Sequence, residues 1–103
     1  MYPPFMNLEY RKLSPDEIEA ALQTTGQWGI ENGKLTRTFE FSSYLEGPDF
    51  SQIVARIAED LNHHPDILIG YRKVTISVNT HDVDGISPYD FELARRIDAI
   101  SAN

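Results

Sequence analysis

The chain contains no cysteine. Disulfide staples and thiolate metal centres are excluded, so a hydrophobic core must hold the fold. No apolar run approaches the roughly 20 residues that cross a bilayer. The opening segment MYPPFMNLEYRKL lacks the basic-then-apolar order of a secretory signal. Basic residues are in deficit: 9 Lys and Arg stand against 16 Asp and Glu, a net charge of −7. Phosphate backbones demand a basic footprint, so direct nucleic-acid binding is not expected. A solvated acidic surface accounts for the charge. Internal repeats and low-complexity runs are missing as well. Together these absences fit a cytoplasmic domain.

What remains is ordinary globular material. The 103 residues, 41% of them hydrophobic, suffice for one domain (1–103) with a real core. Residues 1–12, with Pro3 and Pro4, have no clear period and read as an N-terminal arm. Ser14-Pro15-Asp16-Glu17 is a capping box with proline at the first helical position, and Leu13 and Ile18 form a hydrophobic staple. Ile18, Ala21 and Leu22 give that helix its apolar stripe, and Gly26 stops it. Asn32-Gly33 is a strong hairpin signal. It joins a short strand after Trp28 to one running from Lys34 to about Ser42, where Leu35, Phe39 and Phe41 share a face. Arg37 has the parity of that apolar set, and its stem is expected to lie over the sheet edge with its head in water.

Leu45 to Pro48 reads as a loop. A second helix follows from about Asp49 to Asn62, with Phe50, Ile53, Val54, Ile57, Ala58 and Leu61 on one stripe. Pro65 ends it by forcing its predecessor out of helical geometry. Ile67 to Ile69 and Val74 to Val78 are strands hinged at Gly70, with Val74, Ile76 and Val78 inward. A turn at Gly85 leads to a third helix opened by Ser87-Pro88-Tyr89-Asp90, with Phe91, Ala94, Ile97 and Ile100 packed inward. The order α-β-β-α-β-β-α, with alternating strands and a tight hairpin, predicts an α+β domain. Its four-stranded antiparallel sheet carries three helices on one face.

All three histidines, His63, His64 and His81, lie between Glu59 and Asp90. Imidazole both gives and takes protons near neutrality, so it can serve opposite roles in one cycle. His63 falls at a helix C-terminus, whose free carbonyls favour a cation. Glu59, four residues earlier, is expected on the same side of the helix as His63. His64 has Asp60 at the same offset, and His81 is followed by Asp82, which can orient it. A pocket where the helix end meets the fourth strand is the expectation. From the residues alone, two other readings stay open. The histidines could simply cap a helix and decorate a loop, or they could bind zinc. Three imidazoles suit zinc, but adjacent residues rarely turn both side chains to one ion. The His-Glu-x-x-His spacing is missing, and no serine sits in a nucleophile elbow. Asp90 has a sufficient structural reading as the cap partner of Ser87.

Glu59, His63, His64, Pro65, Tyr71, His81 and Asp90 fill, at the right spacing, the signature of the pterin-4a-carbinolamine dehydratases, which this chain resembles. Trp28, the Leu35–Phe41 strand and Ala94-Arg95-Arg96-Ile97 extend the likeness over about Leu13 to Ile100. The resemblance implies the same sheet with helices on one face, and a homodimer or homotetramer. It implies loss of water from a 4a-hydroxytetrahydropterin to give a quinonoid dihydropterin, without a metal or redox cofactor. By this likeness His63, His64 and His81 are the catalytic acid/base set, and the helix-end position of His63 points to it as the acid on the leaving hydroxyl. Glu59, Trp28 and Asp82 are the pterin-contacting residues. Tyr89 departs from the pattern, since relatives often carry a basic residue there, and this bears on how a pterin side chain is gripped. The family also admits a second class of role, because its animal member doubles as a dimerisation cofactor of a transcription factor and related domains serve as assembly factors.

Overall fold

Ser14 begins the ordered architecture as its sequence context leads one to expect. The structure, a computed structural model, describes residues 8–101, so most of the expected arm lies outside the described residues. The Ser14 hydroxyl accepts from the Glu17 N–H (3.2 Å), while the Glu17 carboxylate accepts from the Ser14 N–H (2.9 Å). With Pro15 at the first position, the box starts α1 (Pro15–Thr25), which ends at Gly26 with φ 71°.

The sheet consists of β1 (Gly29–Glu31), β2 (Lys34–Glu40), β3 (Asp66–Gly70) and β4 (Lys73–Val78), all antiparallel, in the order β1-β2-β4-β3. Asn32 (φ 53°) and Gly33 (φ 77°) both take the left-handed conformation that a two-residue hairpin needs. In the second hairpin the positive φ falls on Arg72 (57°), not on Gly70, which is still paired with Lys73. Leu35 faces Val78, Arg37 faces Ile76 and Phe39 faces Val74 across the central pair. This face of the sheet is buried under α1, α2 (Glu46–Leu61) and α3 (Pro88–Ser101), with Val54, Ala58, Phe91, Ala94 and Ile97 in the same core. On the opposite face Thr38 and Thr75 share a hydrogen bond at the surface.

Three local expectations need correction. Helix α2 starts at Glu46, not Asp49, taking in Gly47 and Pro48. A proline in the first turn forfeits no helical bond. The Glu46 carboxylate folds back on the N–H groups of Ser42 and Ser43 and on the Ser42 hydroxyl, which lowers its pKa, the Ser43 N–H first among the causes. Arg37 does not reach for water. Its guanidinium lies 4.1 Å over the Phe39 ring and donates to Asp98 at 2.7 Å. Its Nε is the single buried side-chain polar atom without a partner among the described residues. Ile53 and Ile100, assigned to inward stripes, are both more than 40% exposed (46% and 42%).

Candidate active site

The second helix stops by its own turn before Pro65 can act. Asn62 adopts φ 56°, and the N–H groups of Asn62 and His63 fold back onto the carbonyls of Glu59 and Ala58. An asparagine in the left-handed region is a common helix terminator. This turn changes which histidine meets which acid. Glu59, expected beside His63, instead lies 2.8 Å from His64 Nε2, with both side chains mostly exposed. His63 is thrown inward.

His63 is 7% exposed, and its Nε2 lies 2.6 Å from Oδ1 of Asp90, which is fully buried. Asp90 sits in the first turn of α3, where the helix dipole favours an anion. Its Oδ2 accepts from the Ser87 N–H (2.9 Å) and the Thr80 hydroxyl (2.8 Å). The cap reading of Asp90 is thus correct but incomplete, because the other oxygen holds an imidazole. Thr80 arrives by strand parity. Beyond β4 the inward alternation of Val74, Ile76 and Val78 continues to Thr80, whose N–H bridges to the Gly85 carbonyl at 2.7 Å. His81 then opens a single 3-10 turn (His81–Val83) and is exposed.

The donors and acceptors can be directed around this cluster. An ionised carboxylate only accepts, so Thr80 spends its one proton on Asp90 and must accept from the Ser87 hydroxyl at 2.6 Å. Ser87 Oγ in turn accepts from the Tyr89 N–H at 3.2 Å. By the same logic His63 Nε2 carries a proton, leaving Nδ1 for exchange. Among the described residues Nδ1 has no hydrogen-bond partner, yet it is not one of the sealed unpartnered atoms, so it opens outward. A buried Asp that fixes one imidazole nitrogen while the other faces outward is the orienting logic of acid/base dyads.

A hollow of about 320 Å³ lies over this ring. His63, His64 and His81 all line it, together with Asp82, Thr80 and Asn79, while Asn62 and Tyr10 complete its edge. The structure therefore brings the three histidines together. It does not bring Trp28 to them. That indole is 5% exposed in the core, with its N–H on both oxygens of Asp98 (2.9 and 3.0 Å). Tyr71 does not line the hollow either; it lies beyond the end of β3 and is 71% exposed. Asp82 reaches the hollow beside His81, and among the described residues no hydrogen bond joins the two. Among the described residues no three His, Asp or Glu side chains converge as metal ligands. A larger groove of about 610 Å³, near Arg37, Phe50 and Ile100, holds none of the histidines.

Sequence reasoning passed over three members of this site. Asp90 was legible only as a cap, though its place in the signature was a signal. Thr80 was accessible through strand parity. Tyr10, from the segment before α1, carried no sequence signal at all.

Fold and site together define an α+β protein with a hollow lined by three histidines. The family model for pterin 4 alpha carbinolamine dehydratase matches residues 11–100, and the chain belongs to that family. A provisionally named pterin-4-alpha-carbinolamine dehydratase of Solibacter usitatus is 41% identical over 91 residues, covering 88% of this chain and 96% of the relative. One from Natronomonas pharaonis, with the same provisional name, is also 41% identical, over 90 residues. The crystal structure of a transcriptional coactivator/pterin dehydratase from Brucella melitensis superposes with a TM-score of 0.81 at 30% identity, covering 87% of this chain and 98% of that one. A pterin dehydratase-like RuBisCO assembly factor of the alpha-carboxysome shares the fold at 23% identity, with a TM-score of 0.61.

Proposed function

We propose that this protein removes water from a 4a-hydroxytetrahydropterin to give a quinonoid dihydropterin, by histidine acid/base catalysis. The observation that carries this reading is the His63–Asp90 pair, with Nδ1 open toward a hollow shared with His64 and His81. Asp90 keeps the ring in register and supplies the compensating charge when both nitrogens are protonated. His63 Nδ1 then delivers a proton to the leaving hydroxyl, the C4a–O bond breaks and water departs. His64 or His81 takes the N5 proton as the N5–C4a double bond forms, so one proton is given and one received. Exchange with solvent resets the pair, which the exposure of His64 and His81 favours. Glu59 orients His64. Asp82 is an acceptor on the rim for the N–H edge of the pterin. Trp28 has no part in this proposal. The active form is a homodimer or homotetramer, and it works in the cytoplasm.

The test is direct: a 4a-hydroxytetrahydropterin is supplied and dehydration is followed by absorbance. A purified protein giving no rate above the spontaneous one would sink the proposal. His63→Ala and His81→Ala are expected to remain folded and to lose roughly 10²–10⁴-fold in rate; full activity in both would remove the site assignment.

A second reading, a binding or assembly module, draws on the exposed Tyr44, Leu45, Leu68 and Tyr71, which lie outside the histidine hollow. It requires no imidazole, so partner binding that survives both histidine variants would favour it.

A further inference from the structure

Tyr10 belongs to no regular element, yet it is held from several sides. The Leu13 N–H donates to the Ile86 carbonyl at 2.7 Å, and the Leu13 side chain is buried. Arg11 reaches Glu17 of the α1 cap at 3.0 Å. The Lys12 stem lies on Gly85, where an added Cβ would stand 2.9 Å from Lys12 Cε. Pinned in this way, Tyr10 stacks on Tyr89, with ring centroids 4.2 Å apart and planes 13° from parallel. Tyr89 precedes Asp90 in the first turn of α3. The stacked pair lies to one side of His63, with centroids 6.3 Å (Tyr10) and 5.7 Å (Tyr89) from the imidazole. Tyr10 lines the hollow and remains about half exposed (49%), so much of its surface is still available.

The charge around this aromatic pair is one-sided. Among the described residues no lysine or arginine lines the hollow, whereas Asp82 does. An anionic substituent would meet no permanent counter-charge there, while a flat neutral ring can lie against a tyrosine.

We propose that Tyr10, backed by Tyr89, is a substrate-contacting wall that makes this hollow take a flat ligand with an uncharged substituent. The proposal rests on the dehydratase reading, and its test separates the two. Full-length wild type, Tyr10→Ala and Tyr10→Phe are assayed for dehydration of two 4a-hydroxytetrahydropterins. One carries a hydroxyalkyl side chain and the other a carboxylate-bearing one. Unreactive oxidised pterins with the same two side chains are titrated by fluorescence. Tyr10→Ala is expected to raise KM and pterin Kd about three- to tenfold, to leave kcat within about twofold, and to be rescued by Tyr10→Phe. Wild type is expected to favour the neutral substrate at least about fivefold in kcat/KM. Tyr10→Leu keeps the covering bulk and is read instead if the alanine variant does not fold. Unchanged KM and Kd on losing the ring, or equal preference for the two substrates, overturns the wall. A wild type with no rate overturns the dehydratase reading instead. The wall is then judged on the two unreactive pterins by the same criteria.

Discussion

Helix α3 carries two buried or half-buried aspartates, about two turns apart, that do opposite things. Asp98, near its C-terminal end, accepts from the Trp28 indole and the Arg37 guanidinium, tying the helix to β2 and to the segment before β1. Neither donor gives up its proton under physiological conditions, because indole N–H is a donor only and guanidinium stays charged. Asp90, at the other end, accepts from a backbone N–H, a hydroxyl and an imidazole. One of those donors is an imidazole, a ring with a second nitrogen, and it lines a hollow. Wiring and burial alone therefore do not mark chemistry. Under the dehydratase proposal, what marks it is a partner that can pass a proton through to the outside.

The largest expected effect tests the Asp90 end. In Asp90→Asn the side-chain amide replaces a carboxylate oxygen, so an NH2 group faces His63 and the ring loses the partner that fixes its proton on Nε2. The dehydration rate is expected to fall by about 10²–10⁴-fold with the circular dichroism spectrum retained. Asp98→Ala is expected to do the reverse. It strands Arg37 and the Trp28 N–H, costing about 3 kcal/mol by urea denaturation, while the rate of the folded protein stays within about twofold. A rate collapse in Asp98→Ala with an unaffected Asp90→Asn would overturn the contrast between the two ends.

The framework was legible because it is written in local rules. The Ser14 box, the Asn32-Gly33 turn and the alternation of Val74, Ile76 and Val78 each act within a few residues, and together they specify the sheet and its covered face. The three histidines were legible by type and spacing. Their partners were not, for two physical reasons. Glu59 pairs with His64 and not His63 because Asn62 enters the left-handed region and redirects the chain after it, a choice that helical spacing cannot anticipate. Arg37 and Trp28 find Asp98 from 61 and 70 residues away, so an arginine expected in water and a tryptophan expected at the pterin are both drawn into the core. Tyr10 reaches the site through the tethers of its neighbours to α1 and to the turn before α3, and through its own stacking on Tyr89.

Glu92, lying between the two aspartates on α3, adds a third outcome. Its side chain is buried (5% exposed) and accepts from Arg95 and Arg96 one turn ahead. Burial pushes the carboxyl up, but the hydrogen bonds and charges of the two arginines outweigh it and hold the pKa at about 2, against an ordinary 4.5. The folded value lies below the unfolded one. Its contribution to stability is therefore complete above pH 4.5 and is lost as pH falls toward and through about 2. Allowing for the partial exposure of both arginines, that contribution is on the order of 2 kcal/mol at pH 7. Glu92→Gln should thus be less stable than wild type by about that amount at pH 7 and by less than about half of it at pH 3. Urea denaturation at the two pH values gives both numbers. A difference that stayed constant with pH would assign the loss to packing, not charge. Dehydration at pH 7 should be unaffected, because neither arginine partner nor Glu92 itself lines the histidine hollow. A drop in rate would mean that the two ends of α3 are coupled through it, and that Asp90 and Asp98 are not independent.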